Sequence, residues 1–418
     1  MKNTLVCLAF FVGALSAYAL VGDYYVSTSG SDANAGTTRD AAFATIAHAV
    51  DVAADGDTVC VLAGTYEVSS AISVAKAITI VGDTGNPADV IVRNTVGGLT
   101  RTSGGNNAGK HRVFEVSNAG AVLSGLAVEG GQIGGEDSKG GNIVIQDSGG
   151  TVTNCIIRNA IICGMGVGNG YPKTGAGGAG IACLSQNGLI THCVITNNFS
   201  TRGGTANWPD VIKIGNQGGA AGVHMDKGVL RESLIAYNST KSDNFGSAVF
   251  GCCYYQNAVL IENCTIAGNY AEDDLGCFFP VFFNPSSNGE NYNPLIRNTL
   301  IVGNVGTSGS KKLFGDPDGS WQGSTTSDKL AKAYRRFVNC ATDGELPDGL
   351  TMVSSGITLT DDFRPTTGSS IIDAGAAMQS PVALDLAGNP RINGEAVDIG
   401  CYEYAAEARR SGVVIVVH

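Results

Sequence analysis

The chain has 418 residues, of which 43% are hydrophobic and 59 are glycine, and its formal net charge is −11. It is long enough to bury a large core, and the glycine excess suits a fold that turns every few residues. The acidic balance argues against nucleic acid or an anionic membrane as a partner, because both need a basic face.

The first nineteen residues predict a secretory signal peptide. Lys2 precedes an apolar run from Leu5 to Leu15, and Ala17-Tyr18-Ala19 has the small-x-small form of a cleavage site. The run is shorter than the roughly 20 residues that span a bilayer. Cleavage after Ala19 is therefore favoured over a membrane anchor. We expect no transmembrane segment after signal removal and a secreted or cell-surface location.

A short helix and the first strands are predicted next. Phe43, Ile46, Ala47 and Val50 recur at helical spacing, so they should share one face. Asp55-Gly56-Asp57 then predicts a turn. We expect the helix to cap the first edge of the sheet that follows.

A short phrase recurs five times between Thr151 and Asn304. It consists of an apolar residue, a Cys, Ser or Thr three residues later, an Ile two residues after that, and then an Asn after two or three more. A unit that cannot bury its own apolar face must stack on its neighbours, so the repeat predicts a solenoid. A degenerate copy with Leu123, Leu126 and Val128 lies upstream. The five copies are Val152/Cys155/Ile157/Asn159, Ile190/Cys193/Ile195/Asn197, Leu230/Ser233/Ile235/Asn238, Ile261/Cys264/Ile266/Asn269 and Ile296/Thr299/Ile301/Asn304.

The two-residue step from the small residue to the Ile is typical of a β-strand. Small residues open a second strand before the middle copies, so we predict two or three strands in each turn. The Ile residues should form one buried column and the Cys, Ser and Thr residues its neighbour, where free Cys serves as a small apolar filler. Disulfides remain open for Cys340 with Cys401, and locally among Cys252, Cys253 and Cys277.

Every long insertion leaves the repeat after its Asn. Insertions on one side of a solenoid form a binding face, and an elongated groove there suits a linear polymer. The insertions are predicted at 164–177, 199–219, 239–246, 270–293 and from 305 onward.

The insertions carry the candidate site residues. Aromatic rings can stack on sugar rings. In a β-elimination on a uronate, a cation acidifies the proton beside the carboxylate and a Lys or Arg removes it. The alternative is that Trp208 pins its loop and the charges are solvated. The predicted roles are Lys213 as the base, Arg202 as the carboxylate partner, Trp208, Tyr171 and Tyr292 as substrate-binding rings, and Asp210, Asp243, Asp273 and Asp274 as calcium ligands.

Two further segments carry charged residues next to apolar ones. His224 and Asp226 lie in a predicted strand-turn, where they form either an ordinary surface pair or a catalytic one. Residues 327–338 have helical spacing of apolar and basic residues and predict a helix that packs on the solenoid as a cap.

Both ends of the chain resemble known proteins. Tyr24-Tyr25-Val26-Ser27, Gly30-Ser31-Asp32-Ala33-Asn34-Ala35-Gly36 and Gly64-Thr65-Tyr66-Glu67 resemble the opening of pectate lyase-like, right-handed parallel β-helix proteins. Asp362-Phe363-Arg364-Pro365 and Val397-Asp398-Ile399-Gly400-Cys401-Tyr402-Glu403 resemble the C-terminal module of exported bacterial β-helix proteins, which precedes variable surface anchors.

The resemblance implies an all-β, right-handed parallel β-helix with an N-terminal capping helix and a C-terminal capping module. The sequence shows neither the catalytic motifs of polygalacturonases nor those of pectin methylesterases. The expected divisions are a signal peptide (1–19), the cap helix and first coils (20–85), the β-helix with insertions (86–305), the C-terminal β-helix end and capping module (306–404), and a tail (405–418).

Two function classes follow. The first is an exported protein directed at carbohydrate, with a calcium-assisted uronide lyase as its enzymatic form and an acidic polysaccharide as its partner. The second is a non-catalytic surface or adhesion protein that binds a polysaccharide or a protein. The oligomeric state is open.

Overall fold

The chain winds into a parallel β-helix in the computed structural model. The structure describes residues 20–96, 111–135, 139–165, 177–203, 221–241, 249–251, 259–271, 295–311, 313, 336–346, 348–379 and 381–405. Within these ranges the strands form four sheets, which we name A to D, and every pairing between named strands is parallel.

Sheets A and B are the longest. Sheet A consists, in spatial order, of β1 (Tyr24–Val26), β2 (Thr58–Val61), β5 (Thr79–Gly82), β8 (Val122–Ser124), β12 (Gly150–Thr153), β16 (Gly188–Thr191), β20 (Gly228–Arg231), β24 (Val259–Glu262), β27 (Leu295–Arg297) and β30 (Phe337–Val338). Sheet B consists of β3 (Gly64–Val68), β6 (Val90–Asn94), β9 (Ala127–Glu129), β13 (Ile156–Arg158), β17 (Val194–Thr196), β21 (Leu234–Ala236), β25 (Thr265–Ala267), β28 (Leu300–Val302) and β31 (Ala341–Thr342).

Sheets C and D complete each coil. Sheet C consists of β4 (Ile72–Val74), β7 (Phe114–Val116), β11 (Ile143–Ile145), β15 (Ile181–Cys183), β19 (Val223–Met225) and β23 (Val249–Gly251). Sheet D consists of β10 (Gln132–Gly135), β14 (Ile161–Met165), β18 (Phe199–Gly203), β22 (Ser239–Lys241), β26 (Tyr270–Ala271) and β29 (Val305–Gly306). The prediction of two or three strands in each turn is too low for the four coils from β8 to β23, which have four strands, because the sheet D strands fall at the predicted starts of the insertions.

The helix α1 spans Ile46–Val52, with Thr45 as its N-cap. Ile46 and Val50 are buried as predicted, but Ala49 rather than Ala47 completes the buried face. The helix packs against β1, β2 and β4. Its role as a cap of the solenoid stays a prediction. A 3-10 turn spans Pro87–Asp89. No helix in the described ranges is long and apolar enough to cross a membrane.

The predicted interior columns are confirmed. Ile157, Ile195, Ile235, Ile266 and Ile301 are direct register partners across five coils of sheet B, and all are buried. The small-residue column beside them is also buried, and each of its side chains contacts the carbonyl two residues back: Cys155, Cys193, Ser233, Cys264, Thr299 and Cys340.

The Asn residues of the repeat occupy two different corners. Asn159 and Asn197, two residues after the Ile, have left-handed φ angles of 59° and 54°. The position three residues after the Ile holds a buried ladder, in which the side-chain amide of each Asn except the last donates to the Asn of the next coil. In the coil of Ile195, the ladder therefore contains Asn198 and not the Asn197 of the repeated phrase. The ladder is formed by Asn198, Asn238, Asn269 and Asn304.

The C-terminal residues run along the side of the solenoid. Leu350 and Met352 still join the interior core, and Val353 bridges to Ala341 in the last strand of sheet B. Beyond this point residues 353–379 and 381–405, which we name the C-terminal module, pack on the outer face of sheet B. A capping role at the C-terminal end of the solenoid stays a prediction.

The module covers an apolar surface on sheet B. Leu234 and Ala236, which flank the inward-facing Ile235, are buried against Cys401 and Tyr402. The disulfide left open between Cys340 and Cys401 is not formed: both are free, and Cys340 lies in the interior core while Cys401 lies on the outer face.

The prediction of a helix at 327–338 was also wrong for the residues of this segment that the structure describes. Phe337 and Val338 form β30 and pair with β27 at the end of sheet A. Residues 327–335 lie outside the described residues.

Candidate functional site

Most of the predicted site residues lie outside the described residues. Arg202 is the exception, because its backbone belongs to β18 and pairs with Gly164 of β14. The proposed grouping of Lys213 with calcium ligands and aromatic rings therefore stays a prediction. The residues outside the described ranges are Tyr171, Trp208, Asp210, Lys213, Asp243, Asp273, Asp274 and Tyr292.

The roots of three insertions stack on one side of the solenoid. The segments 166–176, 204–220 and 242–248 each follow a strand of sheet D and precede a strand of sheet C. The flanking strands are in register from coil to coil: β14, β18 and β22 pair in sheet D, and β15, β19 and β23 pair in sheet C. Neighbouring strands lie roughly 4.8 Å apart, so these segments leave and rejoin the solenoid at regular intervals along its length.

The opposite side of the coil is occupied. The C-terminal module covers the outer face of sheet B from Ile156 to Ala341. The solenoid side chains that pack against the module in these two clusters all come from sheet B.

A polar cluster lies on sheet C where two of these insertions rejoin. Val223 and Met225 of β19 point into the core, so His224 between them points outward. Its Nε2 lies 2.9 Å from Oδ1 of Asp226, and Oδ2 of the same carboxylate accepts from Nζ of Lys139 at 2.7 Å. Lys139 comes from a coil two turns away, and the small side chain of Ala182 separates the two coils on this face.

The electrostatics of the cluster fix its charge state. Burial lowers the pKa of the His224 imidazole, against the attraction of Asp226, so the ring is neutral near pH 7. Burial alone would raise the pKa of Asp226, but the hydrogen bond and charge contributed by His224 and Lys139 hold it well below 3.8. Since the imidazole is neutral near pH 7, Lys139 is the charged partner of Asp226 at that pH.

The cluster is largely shielded from solvent. The His224 side chain is only 2% exposed and that of Lys139 only 10%, whereas the Asp226 side chain is 21% exposed. A buried imidazole cannot reach a polymer lying over the surface. The sequence had suggested His224 and Asp226 as a pair, and they are in contact. It gave no signal for Lys139, because this lysine is 87 residues from Asp226.

Smaller polar contacts also lie on sheet C, beside the cluster of Lys139, His224 and Asp226. Glu115 on β7 accepts from Nε2 of Gln146 at 2.6 Å and contacts Arg112 at 3.4 Å, and its side chain is 34% exposed. Among the described residues no group of three or more His, Cys, Asp or Glu side chains is placed to hold a metal ion. The calcium prediction therefore depends entirely on carboxylates that the structure does not describe.

Comparison with known proteins gives the fold alone. No family model matches the chain, and no curated protein matches it. Solved structures that resemble it include pectate lyase Pel9A (15% identity, TM-score 0.40, covering 91% of this chain and 96% of that one) and a rhamnogalacturonan lyase (19%, 0.29, 70% and 85%). A pectin methylesterase from carrot has 11% identity and a TM-score of 0.31, covering 74% and 90%. At these identities and scores the likenesses carry no argument about activity.

Proposed function

We propose that the protein is an exported, carbohydrate-directed β-helix protein that binds an extended acidic polysaccharide on the side formed by sheets C and D. The stacking of the insertion roots supports this proposal best, because a row of segments at regular spacing matches a polymer of repeating sugars. The C-terminal module packs on sheet B and not on this side.

The enzymatic form of the proposal is a uronide lyase. Lys213 removes the proton beside the uronate carboxylate, Arg202 pairs with that carboxylate, and Trp208, Tyr171 and Tyr292 stack on the sugar rings. A calcium ion held by Asp210, Asp243, Asp273 and Asp274 would acidify the proton that is removed. The net charge of −11 makes such local cations necessary for binding a polyanion.

A panel of acidic polysaccharides tests the lyase. The mature chain is incubated with each polymer and calcium while the absorbance of the unsaturated product is followed. We expect a calcium-dependent signal that falls by about 10²–10⁴-fold in Lys213→Met, the usual contribution of a general base. Lys311→Met is the matched control, because Lys311 is a surface lysine paired with Asp343. No signal from the wild type across the panel would exclude the lyase.

The non-catalytic alternative has one observation in its favour. The imidazole of His224 is buried, which supports a structural role for the polar cluster on sheet C, and a stiff solenoid with binding loops needs no reactive group. Affinity electrophoresis against the same panel separates the two forms: retardation by a polymer without product formation would identify a binding protein.

Export is tested separately. N-terminal sequencing of the protein released by expressing cells should begin at Leu20. Protein that is retained inside the cell with Met1 intact would contradict export.

A further inference from the structure

One column of corner residues holds the C-terminal module. These residues lie between sheets A and B in successive coils, and each has a left-handed φ between 46° and 52°. His192 Nε2 lies 3.0 Å from the carbonyl oxygen of Leu384, and Asn298 bonds to both the N–H and the carbonyl of Ala376. The column consists of His192, Glu232, Asn263, Asn298 and Asn339.

Glu232 is the carboxylate of this column, and it faces Arg391 of the module. Arg391 is 1% exposed, and its Nη2 donates to the carbonyls of Asp398 and Gly400 at 3.0 and 2.8 Å. Its Nη1 lies 3.0 Å from Oε1 of Glu403, and its Nε lies 3.4 Å from Oε2 of Glu232. Two buried carboxylates, one from the solenoid and one from the module, therefore share one guanidinium.

Within the module, the charged groups next to Glu403 and Arg391 are carboxylates and supply no second cation. Asp385 accepts from the N–H groups of Ala387, Asn389 and Glu403, and Asp398 accepts from those of Asp373 and Tyr404. Both carboxylates add negative charge around Arg391.

On the solenoid side the nearest groups are Arg231, His192 and Glu262. Arg231 favours the charged form of Glu232. Burial lowers the pKa of His192, so the ring is neutral near pH 7. Glu262 accepts from the N–H of Gln379 and lies 3.6 Å from Arg297.

Burial has a larger effect on the two glutamates than the shared arginine. It raises the pKa of Glu232 to about 8, against the attraction of Arg391 and the hydrogen bond from Asn263. It also raises the pKa of Glu403 to about 7, again against Arg391. Both carboxylates face the Arg391 guanidinium, so its single positive charge lies between them.

We propose that the C-terminal module is a proton-dependent latch on the side of the solenoid. A proton held by the Glu232–Glu403 pair around Arg391 keeps the module docked on sheet B, and loss of that proton favours undocking. The latch does not depend on the proposed carbohydrate binding, so either proposal can fail alone.

The direction of the pH dependence of docking follows from the pKa values of the two carboxyl groups. Their pKa values are about 8 and 7 in the docked state and return toward the ordinary 4.5 when the module leaves. The docked state binds more protons, so docking is strongest below pH 4.5 and is lost progressively as the pH rises toward 8. For one proton the undocking constant rises about tenfold per pH unit in this interval.

Cys401 provides a probe for docking. It is completely buried against Leu234 and Ala236, and its N–H donates to Oγ1 of Thr265. Cys264 is equally buried but lies inside the solenoid, so it serves as an internal control. The folded full-length chain is labelled with a maleimide at pH 5 to 8, and the rate at each thiol is divided by its rate in the denatured chain at the same pH.

The wild type should show a normalised Cys401 rate that rises about tenfold per pH unit while that of Cys264 stays flat. Glu232→Gln removes one of the two titrating carboxyl groups. The change in its normalised Cys401 rate between pH 5 and 8 should therefore be at least tenfold smaller than in the wild type. Glu395→Gln, at an exposed position of the module, should behave as the wild type. Glu403→Gln repeats the test if Glu232→Gln does not fold. A wild-type Cys401 rate that is flat from pH 5 to 8, or a pH response of Glu232→Gln equal to that of Glu395→Gln, would overturn the latch.

Discussion

Individual polar side chains inside the solenoid have distinct roles that their residue type does not reveal. Asn238 is fully buried, accepts from the N–H and the side-chain amide of Asn198, and donates to Asn269. Asn159, from an equivalent phrase, is exposed and occupies a left-handed corner with φ 59°. The first residue completes a hydrogen-bond ladder, whereas the second only turns the chain.

We predict that Asn238→Ala lowers the free energy of unfolding by about 2–4 kcal/mol, because it leaves buried donors of Asn198 without an acceptor. Asn159→Gly should change it by less than about 0.5 kcal/mol, because glycine adopts left-handed φ angles without strain. Urea unfolding of both variants measures the difference. Equal losses in the two variants would contradict the assignment of the ladder.

Asp226 gives a second prediction at this scale. Asp226→Asn removes the anion that pairs with Lys139, which is largely buried, so we expect a loss of about 1–3 kcal/mol at pH 7. The pKa of Asp226 is lowered on folding, so its contribution is present above the unfolded value near 3.8 and is lost as the pH falls through the lower folded pKa. The difference from wild type, measured by urea unfolding, should therefore shrink in acid. The exposed Asp348→Asn is the control, and a difference that grows in acid would refute the assignment.

At the scale of strands and corners, the sequence predicts what depends on local spacing. The register of Ile157 with Ile195 and of Cys155 with Cys193 follows from a constant two-residue step, and the structure confirms both columns. The strands of sheet D escaped prediction because they are short and, in Ser239–Lys241, wholly polar. Their strand conformation comes from pairing with neighbouring coils, not from propensity.

Contacts between distant elements could not be predicted. Arg391 lies 159 residues after Glu232, and no spacing rule links them. Asn197 and Asn198 are adjacent, and only the corner geometry decides which joins the ladder. For the candidate site, the stacked roots of the insertions agree with the prediction, whereas the grouping of Lys213 with its partners stays untested.

The column of corner residues from His192 to Asn339 gives another prediction at the scale of strands and corners. Asn298→Gly keeps the left-handed corner but removes the bonds to Ala376, so the module should loosen and the labelling of Cys401 should increase several-fold at pH 6. Asn154→Gly is the matched control, because Asn154 has a similar φ of 48° but bonds to Gly85 instead of the module. Similar labelling in both variants would show that the column does not hold the module.

The whole molecule is a stack of coils, and the outer faces of its sheets differ in what they contact. Sheet B is covered by its own C-terminal module, and the interior is filled by aligned Ile and small residues. Sheets C and D bear the roots of the insertions, and the polar cluster of Lys139, His224 and Asp226 fixes the chain where one of them rejoins. This division of the sides leads to the proposal that a polysaccharide lies along sheets C and D.

Hydrogen exchange with and without a uronic-acid oligosaccharide in the presence of calcium tests that claim most directly. We predict slower exchange in β14, β18 and β19, at the insertion roots on adjacent coils, and unchanged exchange in residues 381–405 of the module. Protection confined to the module, or no protection at a saturating concentration of a ligand shown to bind, would contradict it.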